Sequence, residues 1–175
     1  MTTKTKIVLD ADVIIHFVKA GQFSLLDIFP EYQYLILDVV YDEVTVNRLT
    51  KTQIDNTLQF FASRIVNVKF DPKGESRFEY ARLRNTLLLG KGESACMVYC
   101  RANKDVLGSS NLKDIKEYCA NHQITYLTTI DFLYYAFIRK KMTKEDVVAF
   151  TAEVISKGSK LPSVDIEKYI PTSSI

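Results

Sequence analysis

Short, continuously apolar runs alternate along this chain with stretches whose apolar residues recur at helical spacing, and this alternation constrains the fold more than any other feature. The run Ile7–Leu9 is apolar without interruption, which is typical of a strand covered on both faces of a parallel sheet. The segment 51–64 instead places Ile54, Leu58 and Phe61 at helical spacing. Strands that alternate with helices predict an α/β fold, a three-layer α/β/α sandwich with a mainly parallel central sheet.

The same patterns predict the order of elements and the domain boundary. Strands are expected at 6–10, 34–40, 65–70, 106–109 and 124–127. Helices are expected at 13–19, 24–29, 41–49, 51–64, 75–89, 93–102, 112–121, 132–140 and 144–156. A chain of 175 residues can form one domain with a sizeable core, so we predict a single domain over 1–157. The segment 158–175 contains prolines and serines, and we expect it to be a C-terminal tail that packs on the domain or extends from it.

Composition excludes several classes of protein. The chain is 47% hydrophobic and 25% charged, as ordinary globular proteins are, and its net charge of +2 is too small to indicate nucleic-acid binding by itself. Three cysteines do not suggest a disulfide framework, which favours a reducing, cytoplasmic location. Two acids interrupt the first apolar run, unlike in a signal peptide. No apolar stretch approaches the roughly 20 residues of a membrane-spanning helix, so we expect no membrane association.

Four acids lie at the end of an apolar run or at the beginning of a predicted helix. They are Asp10, Glu43, Glu93 and Asp114. In open α/β sheets, sites form outside the carboxyl ends of the strands, so acids that interrupt core-forming segments at distant points suggest one shared carboxylate pocket. Hard divalent cations such as Mg²⁺ and Mn²⁺ take oxygen ligands, and they support phosphodiester chemistry.

The first acid follows the strand Ile7–Leu9 directly. Such a carboxylate is costly to desolvate unless something compensates its charge, and a cation would do so. Asp12, two positions after Asp10, projects from the same face if the strand continues. If a helix begins here instead, Asp12 is a candidate for its N-cap. A purely structural role as strand-end and capping acids therefore stays open for both residues.

Two of the other acids also have ordinary structural explanations. Asp42 and Glu43 are expected in the first turn of a helix, where the helix dipole alone stabilises an acid. Asn111 followed by Asp114 resembles a capping box. The functional interpretation instead places Asp114 on a metal ion, with Ser109 or Asn111 near a water molecule or a phosphate.

Glu93 is more informative, because it opens a helix after Gly-Lys-Gly and shares a face with apolar residues. Cys96, Met97 and Cys100 follow it by three, four and seven positions, which is the spacing of one helical stripe. The loop before it lacks the spacing of a P-loop. Lys91 in that loop either approaches a phosphate or is an ordinary solvated lysine.

Other chemistries have little support in the sequence. His16 and His122 do not lie in a metal-type cluster, and we expect each to be structural or exposed. Cys96, Cys100 and Cys119 lack a zinc pattern and are expected to be small buried hydrophobic residues. Neither a nucleophile elbow nor a dinucleotide fingerprint occurs.

The order of the motifs resembles the PIN domain family, a metal-dependent nuclease fold, over residues 6–136. The motifs are IVLDADVII, VVYDEV, GKGESACMVYC and LGSSNLKDI. The resemblance matches the residues of the family site with Asp10, Glu43, Glu93, Ser109, Asn111 and Asp114. Asp12 stands where the family often has Ser, Thr or Asn.

The resemblance implies a ribonuclease directed at single-stranded RNA, commonly the toxin of a toxin–antitoxin pair. One or two Mg²⁺ or Mn²⁺ ions would then be held by Asp10, Glu93 and Asp114, with Glu43 as a ligand either directly or through water. RNA is the expected substrate, an antitoxin protein is the expected partner, and a homodimer is expected by resemblance alone.

One departure from the family pattern keeps an alternative open. Many members carry an Asp directly after the fourth strand, where this chain has Ser109-Ser110-Asn111. A PIN-like module that is catalytically weak or inactive, and that binds RNA or protein, is therefore the second hypothesis. A phosphatase or another hydrolase of small substrates is a third.

Overall fold

The central sheet has five parallel strands in the part of the chain that the structure describes. The computed structural model describes residues 5–60 and 64–175, without the side chain of Asp27. The strands are β1 (Lys6–Leu9), β2 (Gln33–Leu37), β3 (Ile65–Val68), β4 (Val106–Gly108) and β5 (Tyr126–Leu127). Their order across the sheet is β3-β2-β1-β4-β5, and each neighbouring pair is parallel.

Helices cover both faces of this sheet. They are α1 (Ala11–Lys19), α2 (Asp38–Val44), α3 (Arg48–Phe60), α4 (Glu75–Asn85), α5 (Lys91–Asn103), α6 (Leu112–His122), α7 (Thr129–Ile138) and α8 (Lys144–Ser156), with a short 3-10 helix at Phe23–Ile28. One group of contacting helices contains α1, α7 and α8, and another contains α4, α5 and α6. The predicted three-layer α/β/α fold is confirmed.

The middle strand β1 forms the centre of the core. Ile7, Val8 and Leu9 are all fully buried, as expected for a strand whose two faces are both covered by helices. Pairing with β4 places Leu9 opposite Gly108. A Cβ at Gly108 would lie 3.1 Å from Leu9 Cδ2. The absence of a side chain at Gly108 therefore leaves room for the Leu9 side chain of the neighbouring strand.

The boundary between β2 and α2 differs from the sequence prediction. A strand over 34–40 and a helix over 41–49 were expected, but the strand ends at Leu37 and the helix begins at Asp38. Asp38 Oδ1 accepts hydrogen bonds from Val39 N at 2.8 Å and Phe70 N at 2.9 Å, and these bonds stabilise the early helix start. Glu43 therefore lies in the last turn of α2, and its predicted position in a first turn is wrong.

Other boundaries shift for local reasons. The predicted helix over 132–140 begins earlier, at Thr129, because Thr128 and Asp131 form a capping box. The predicted helix over 75–89 ends at Asn85, and Leu88 beyond it has a positive φ of 58°, which is incompatible with a continuing helix. The remaining segments differ by a few residues at their ends, and the helix at 144–156 is confirmed. Phe61, predicted on the face of Ile54, lies outside the described residues.

The cysteines and histidines have the environments that the sequence predicts. All three cysteines are free and buried. His16 is buried, and His122 is partly exposed and contacts the Tyr118 ring in a tilted arrangement, with ring centroids 4.4 Å apart. None of the described helices has the length and apolar character needed to cross a bilayer.

The segment 158–175 packs on α7. Ile166 is 2% exposed, and the hydroxyl of Tyr169 donates to Asp131 Oδ1 at 2.9 Å. The same oxygen accepts from Thr172 N at 2.7 Å. Asp131 is fully buried, so it joins the capping of α7 to the attachment of the C-terminal segment.

Removing the Tyr169 hydroxyl should loosen this attachment. We expect Tyr169→Phe to lower the free energy of unfolding by about 1 kcal/mol, the usual contribution of a hydrogen bond of this kind, as measured by urea denaturation. Tyr134→Phe is the matched control, because the Tyr134 hydroxyl has no hydrogen-bond partner among the described residues. Equal effects of the two substitutions would contradict the role assigned to the Tyr169 hydroxyl.

Candidate functional site

Asp10 lies where β1 ends and α1 begins, at the carboxyl edge of the sheet. Its backbone N donates to Gly108 O at 2.8 Å, which ties it to the end of β4. Its carboxylate is the N-cap of α1 and accepts from Ala11 N at 2.8 Å. The second carboxylate oxygen accepts from Ser109 Oγ at 3.1 Å. Although Asp10 is only 4% exposed, each of its carboxylate oxygens has a hydrogen-bond donor.

Asp12 is neither a strand residue nor the N-cap, so both positions considered from the sequence are wrong. It lies in the first turn of α1, because Asp10 already caps the helix. Its Oδ1 accepts from Val13 N at 2.6 Å and its Oδ2 accepts from Ser110 N at 2.7 Å. Asp12 therefore holds the backbone of the segment that follows β4.

Glu93 and Asp114 are joined by the side chain of Asn111. Asn111 Nδ2 donates to Glu93 Oε1 at 2.9 Å and to Asp114 Oδ2 at 2.8 Å. Asn111 is the N-cap residue of α6, but its side chain does not cap the helix, so the capping box considered for this pair is absent. The asparagine side chain instead connects the first turn of α5 with the first turn of α6.

Glu43 approaches the same region from α2. A Cβ at Gly92 would lie 2.7 Å from Glu43 Oε2 and 3.1 Å from Val40 Cγ2. Glu43 is exposed, and the glycine leaves room for its carboxylate in this position against the first turn of α5. Lys91, the first residue of that helix, is exposed.

The acids raise the pKa values of one another. Burial raises the pKa of Asp10 well above its usual range, and the Asp12 and Glu93 carboxylates raise it further. Burial also raises the pKa of Asp12. The pKa of Glu93, which is 8% exposed, rises to about 7 through burial and then through the Asp114 charge. Ionising Asp10, Asp12 and Glu93 at the same time is therefore unfavourable, even though each carboxylate accepts hydrogen bonds.

The donor set of this pocket suits a hard divalent cation. Within 5–60 and 64–175, no three His, Cys, Asp or Glu side chains already stand as a ligand set for a metal ion. Between Glu93 and Asp114 lies the Asn111 amide nitrogen, a donor that interacts with both carboxylates as a cation would. Carboxylate oxygens are the ligands that Mg²⁺ and Mn²⁺ prefer, so the donor chemistry fits such an ion, whereas the described side chains as placed do not form a ligand set.

Three residues of this region were not predicted as site residues. They are Thr129, His16 and Gly92. Thr129 is hydrogen-bonded to His16 and to Ser110, and Gly92 leaves room for the Glu43 carboxylate. The pattern Thr-x-x-Asp at 128–131 is a capping-box signal that could have placed Thr129 at a helix start near the site. No local signal identifies the contact of His16, because its partner is 113 positions away.

Comparison with solved structures supports the architecture. A chain in the crystal structure of VapBC2 from Rickettsia felis bound to a DNA fragment from their promoter is similar with a TM-score of 0.51 and 17% identity, over 71% of this chain and 98% of that chain. A chain of VapBC-1 from nontypeable Haemophilus influenzae gives a TM-score of 0.49 and 14% identity, over 71% of this chain and 98% of that chain. No protein-family model and no curated protein matches this sequence. At this level of identity the first comparison shows a shared fold, in agreement with the three-layer α/β/α architecture.

Stability should fall with rising pH when divalent cations are absent. Because the folded-state pKa of Glu93 is about 7 and its ordinary value is 4.5, the folded protein binds this proton more tightly than the unfolded chain does. The free energy of unfolding should therefore decrease between those two pH values. Urea denaturation across this range should show a smaller decrease for Glu93→Gln than for the wild type. Glu117→Gln, at an exposed position of α6, is the control, and equal slopes for the wild type and Glu93→Gln would contradict the assignment.

Gly92→Ala should be destabilising, although alanine normally favours a helix over glycine. The new Cβ would press on Glu43 and Val40, and overpacking of this kind costs about 1–3 kcal/mol. Glu43→Ala should remove part of that cost in a double-mutant cycle measured by urea denaturation. Gly90→Ala is the matched control, since its Cβ would meet only Glu93 Cβ at 3.8 Å. A cost at Gly92 that Glu43→Ala leaves unchanged would contradict the close approach.

Proposed function

We propose that this protein is a metal-dependent endoribonuclease that cleaves phosphodiester bonds of single-stranded RNA. Asp10, Glu93 and Asp114 hold Mg²⁺ or Mn²⁺, and Glu43 contributes directly or through water. The observation that carries the proposal is that the buried carboxylates of Asp10 and Glu93 lie at the carboxyl edge of a PIN-like sheet, where neighbouring acids raise the pKa of each. A cluster of that kind costs stability unless a cation compensates its charge.

The protein groups of the site fix the orientation of the acids. A divalent cation bound there supplies Lewis acidity, lowering the pKa of a bound water and polarising a phosphate oxygen. The Ser109 hydroxyl donates to Asp10 and so sets the direction of that carboxylate. The Asn111 amide donates to both Glu93 and Asp114, and so holds these two carboxylates close to each other. In this proposal Lys91, exposed at the start of α5, contacts a phosphate of the substrate.

The described side chains offer poor alternatives to water as the nucleophile. Burial raises the pKa of Cys96 and Cys100 well above the usual value of a thiol, so neither is a thiolate at neutral pH. His16 is buried, and burial lowers its pKa to about 4. Both observations favour attack by water over a covalent intermediate.

We further propose that the protein acts in the cytoplasm as the toxin of a toxin–antitoxin pair. This role is supported by the resemblance of the motifs to the PIN family and by structural similarity to a chain of the VapBC2 complex. An antitoxin protein is then its partner, and assembly as a homodimer is part of the same proposal.

A second function is a PIN-like module that binds RNA or protein with little or no catalysis. It is favoured by the segment after β4, where Ser109 and Ser110 stand in place of an early acid, and by the Asn111 amide between Glu93 and Asp114. Titration calorimetry separates the two functions. Binding of RNA without binding of Mn²⁺ or Mg²⁺ would support the second and contradict the first.

A nuclease assay with Mn²⁺ and unstructured RNA tests the proposal directly. Asp10→Asn and Glu93→Gln should each lower cleavage by more than about 100-fold, since replacing even an outer-shell partner of a metal ligand commonly costs 10–100-fold. Asp42→Asn, which changes an exposed acid of α2, should cleave at the wild-type rate. Equal cleavage by the wild type, Asp10→Asn and Glu93→Gln would overturn the assignment. Activity on a generic phosphate ester without activity on RNA would indicate a hydrolase of small substrates.

A further inference from the structure

A buried chain of hydrogen bonds connects α1, α7 and the segment after β4. His16, 6% exposed on α1, bonds through Nδ1 to Thr129 Oγ1 at 2.8 Å. Thr129 Oγ1 and Ser110 Oγ lie 2.9 Å apart, and Thr129 N donates to Ser110 Oγ at 2.8 Å. Thr129 is fully buried and Ser110 is half-buried, so the chain runs from the interior of the protein to the segment beside the acids.

Ser110 is held from two sides. Its hydroxyl bonds to Thr129, and its backbone N donates to Asp12 Oδ2 at 2.7 Å. The residues on either side of it reach the acids, because Ser109 donates to Asp10 and Asn111 donates to Glu93. A displacement of Ser110 would therefore move both residues that orient the carboxylates.

The anchor at the other end of the chain is rigid. Thr129 is the first residue of α7, whose start is fixed by the capping box of Thr128 and Asp131. Burial keeps His16 neutral by lowering its pKa to about 4. The Nδ1 of a neutral imidazole is a donor in one tautomer and an acceptor in the other, so it can bond to the Thr129 hydroxyl in either role. Three buried polar groups that satisfy one another can rigidify a region.

We propose that His16, Thr129 and Ser110 are positioning residues that form a clamp on the segment 109–111. The clamp fixes the places of Ser109 and Asn111, and through them the directions of Asp10, Glu93 and Asp114. The effect of the clamp on cation binding rests on the function proposed above. Its effect on the order of the segment 109–111 is independent of that function.

Thr129→Val tests the clamp, because valine keeps the shape of threonine and removes the hydroxyl. We expect faster amide hydrogen exchange at Ser110, Asn111 and Leu112 than the change in global stability accounts for. We also expect Mn²⁺ affinity, measured by calorimetry on the full chain, to fall about 10-fold or more. Thr129→Ser, which keeps the hydroxyl, should restore both. His16→Phe keeps a ring in place without Nδ1 and should act in the same direction as Thr129→Val.

The possible outcomes separate the clamp from the proposed function. A lower free energy of unfolding in Thr129→Val, with unchanged local exchange and unchanged Mn²⁺ affinity, would show a merely structural role and overturn the clamp. Absence of Mn²⁺ binding by the wild type would overturn the proposed function alone. In that case the exchange measurement still decides: selective loss of protection that Thr129→Ser restores supports the clamp, and unchanged protection overturns it.

Discussion

The parallel pairing of β1 with β4 is the constraint on which the candidate site depends. In that register Leu9 is paired with Gly108, and Asp10, the residue after β1, donates its backbone N–H to the carbonyl of Gly108. The first acid thereby lies beside Ser109. The strands are parallel, α1 and α6 follow β1 and β4, and α5 leads into the beginning of β4. The first turns of these three helices therefore gather at the same edge of the sheet. The acids that are distant in sequence meet for this reason.

The energetics of the pocket oppose the stability of the protein. Burying carboxylates near one another is unfavourable, and the raised pKa values of Asp10 and Glu93 express that cost. Hydrogen bonds from Ser109, Ser110 and Asn111 offset part of it. Proteins commonly retain such unfavourable arrangements where function requires them, and the divalent cation proposed above would compensate the charge of this one.

Much of the fold could be predicted from sequence, because it follows from periodicity. The continuous apolar run of β1, the stripe of α5 and the alternation that predicts a parallel sheet are local patterns that solvent exclusion makes reliable. Glu93 was identified for the same reason, since its spacing to Cys96 and Cys100 placed it on the buried face. Asp10 stood out because an acid after an aliphatic run requires compensation.

The remaining features depend on contacts between distant residues, which periodicity does not encode. The start of α2 is stabilised by a bond from Phe70 N to Asp38, so Glu43 was assigned to the wrong turn. The Asn111 side chain does not form the capping box considered from the sequence. It donates instead across the pocket to Glu93. The bond between His16 and Thr129 joins residues that are 113 positions apart, and no local sequence pattern predicts it.

The most direct test of the central claim is a crystal structure determined with Mn²⁺, in which anomalous scattering locates the ion. The account predicts an anomalous peak in contact with carboxylate oxygens of Asp10, Glu93 and Asp114, with the Asn111 amide nitrogen displaced from between Glu93 and Asp114. A peak elsewhere would contradict it. So would the absence of any peak, with the Asn111 amide nitrogen still bonded to Glu93 and Asp114.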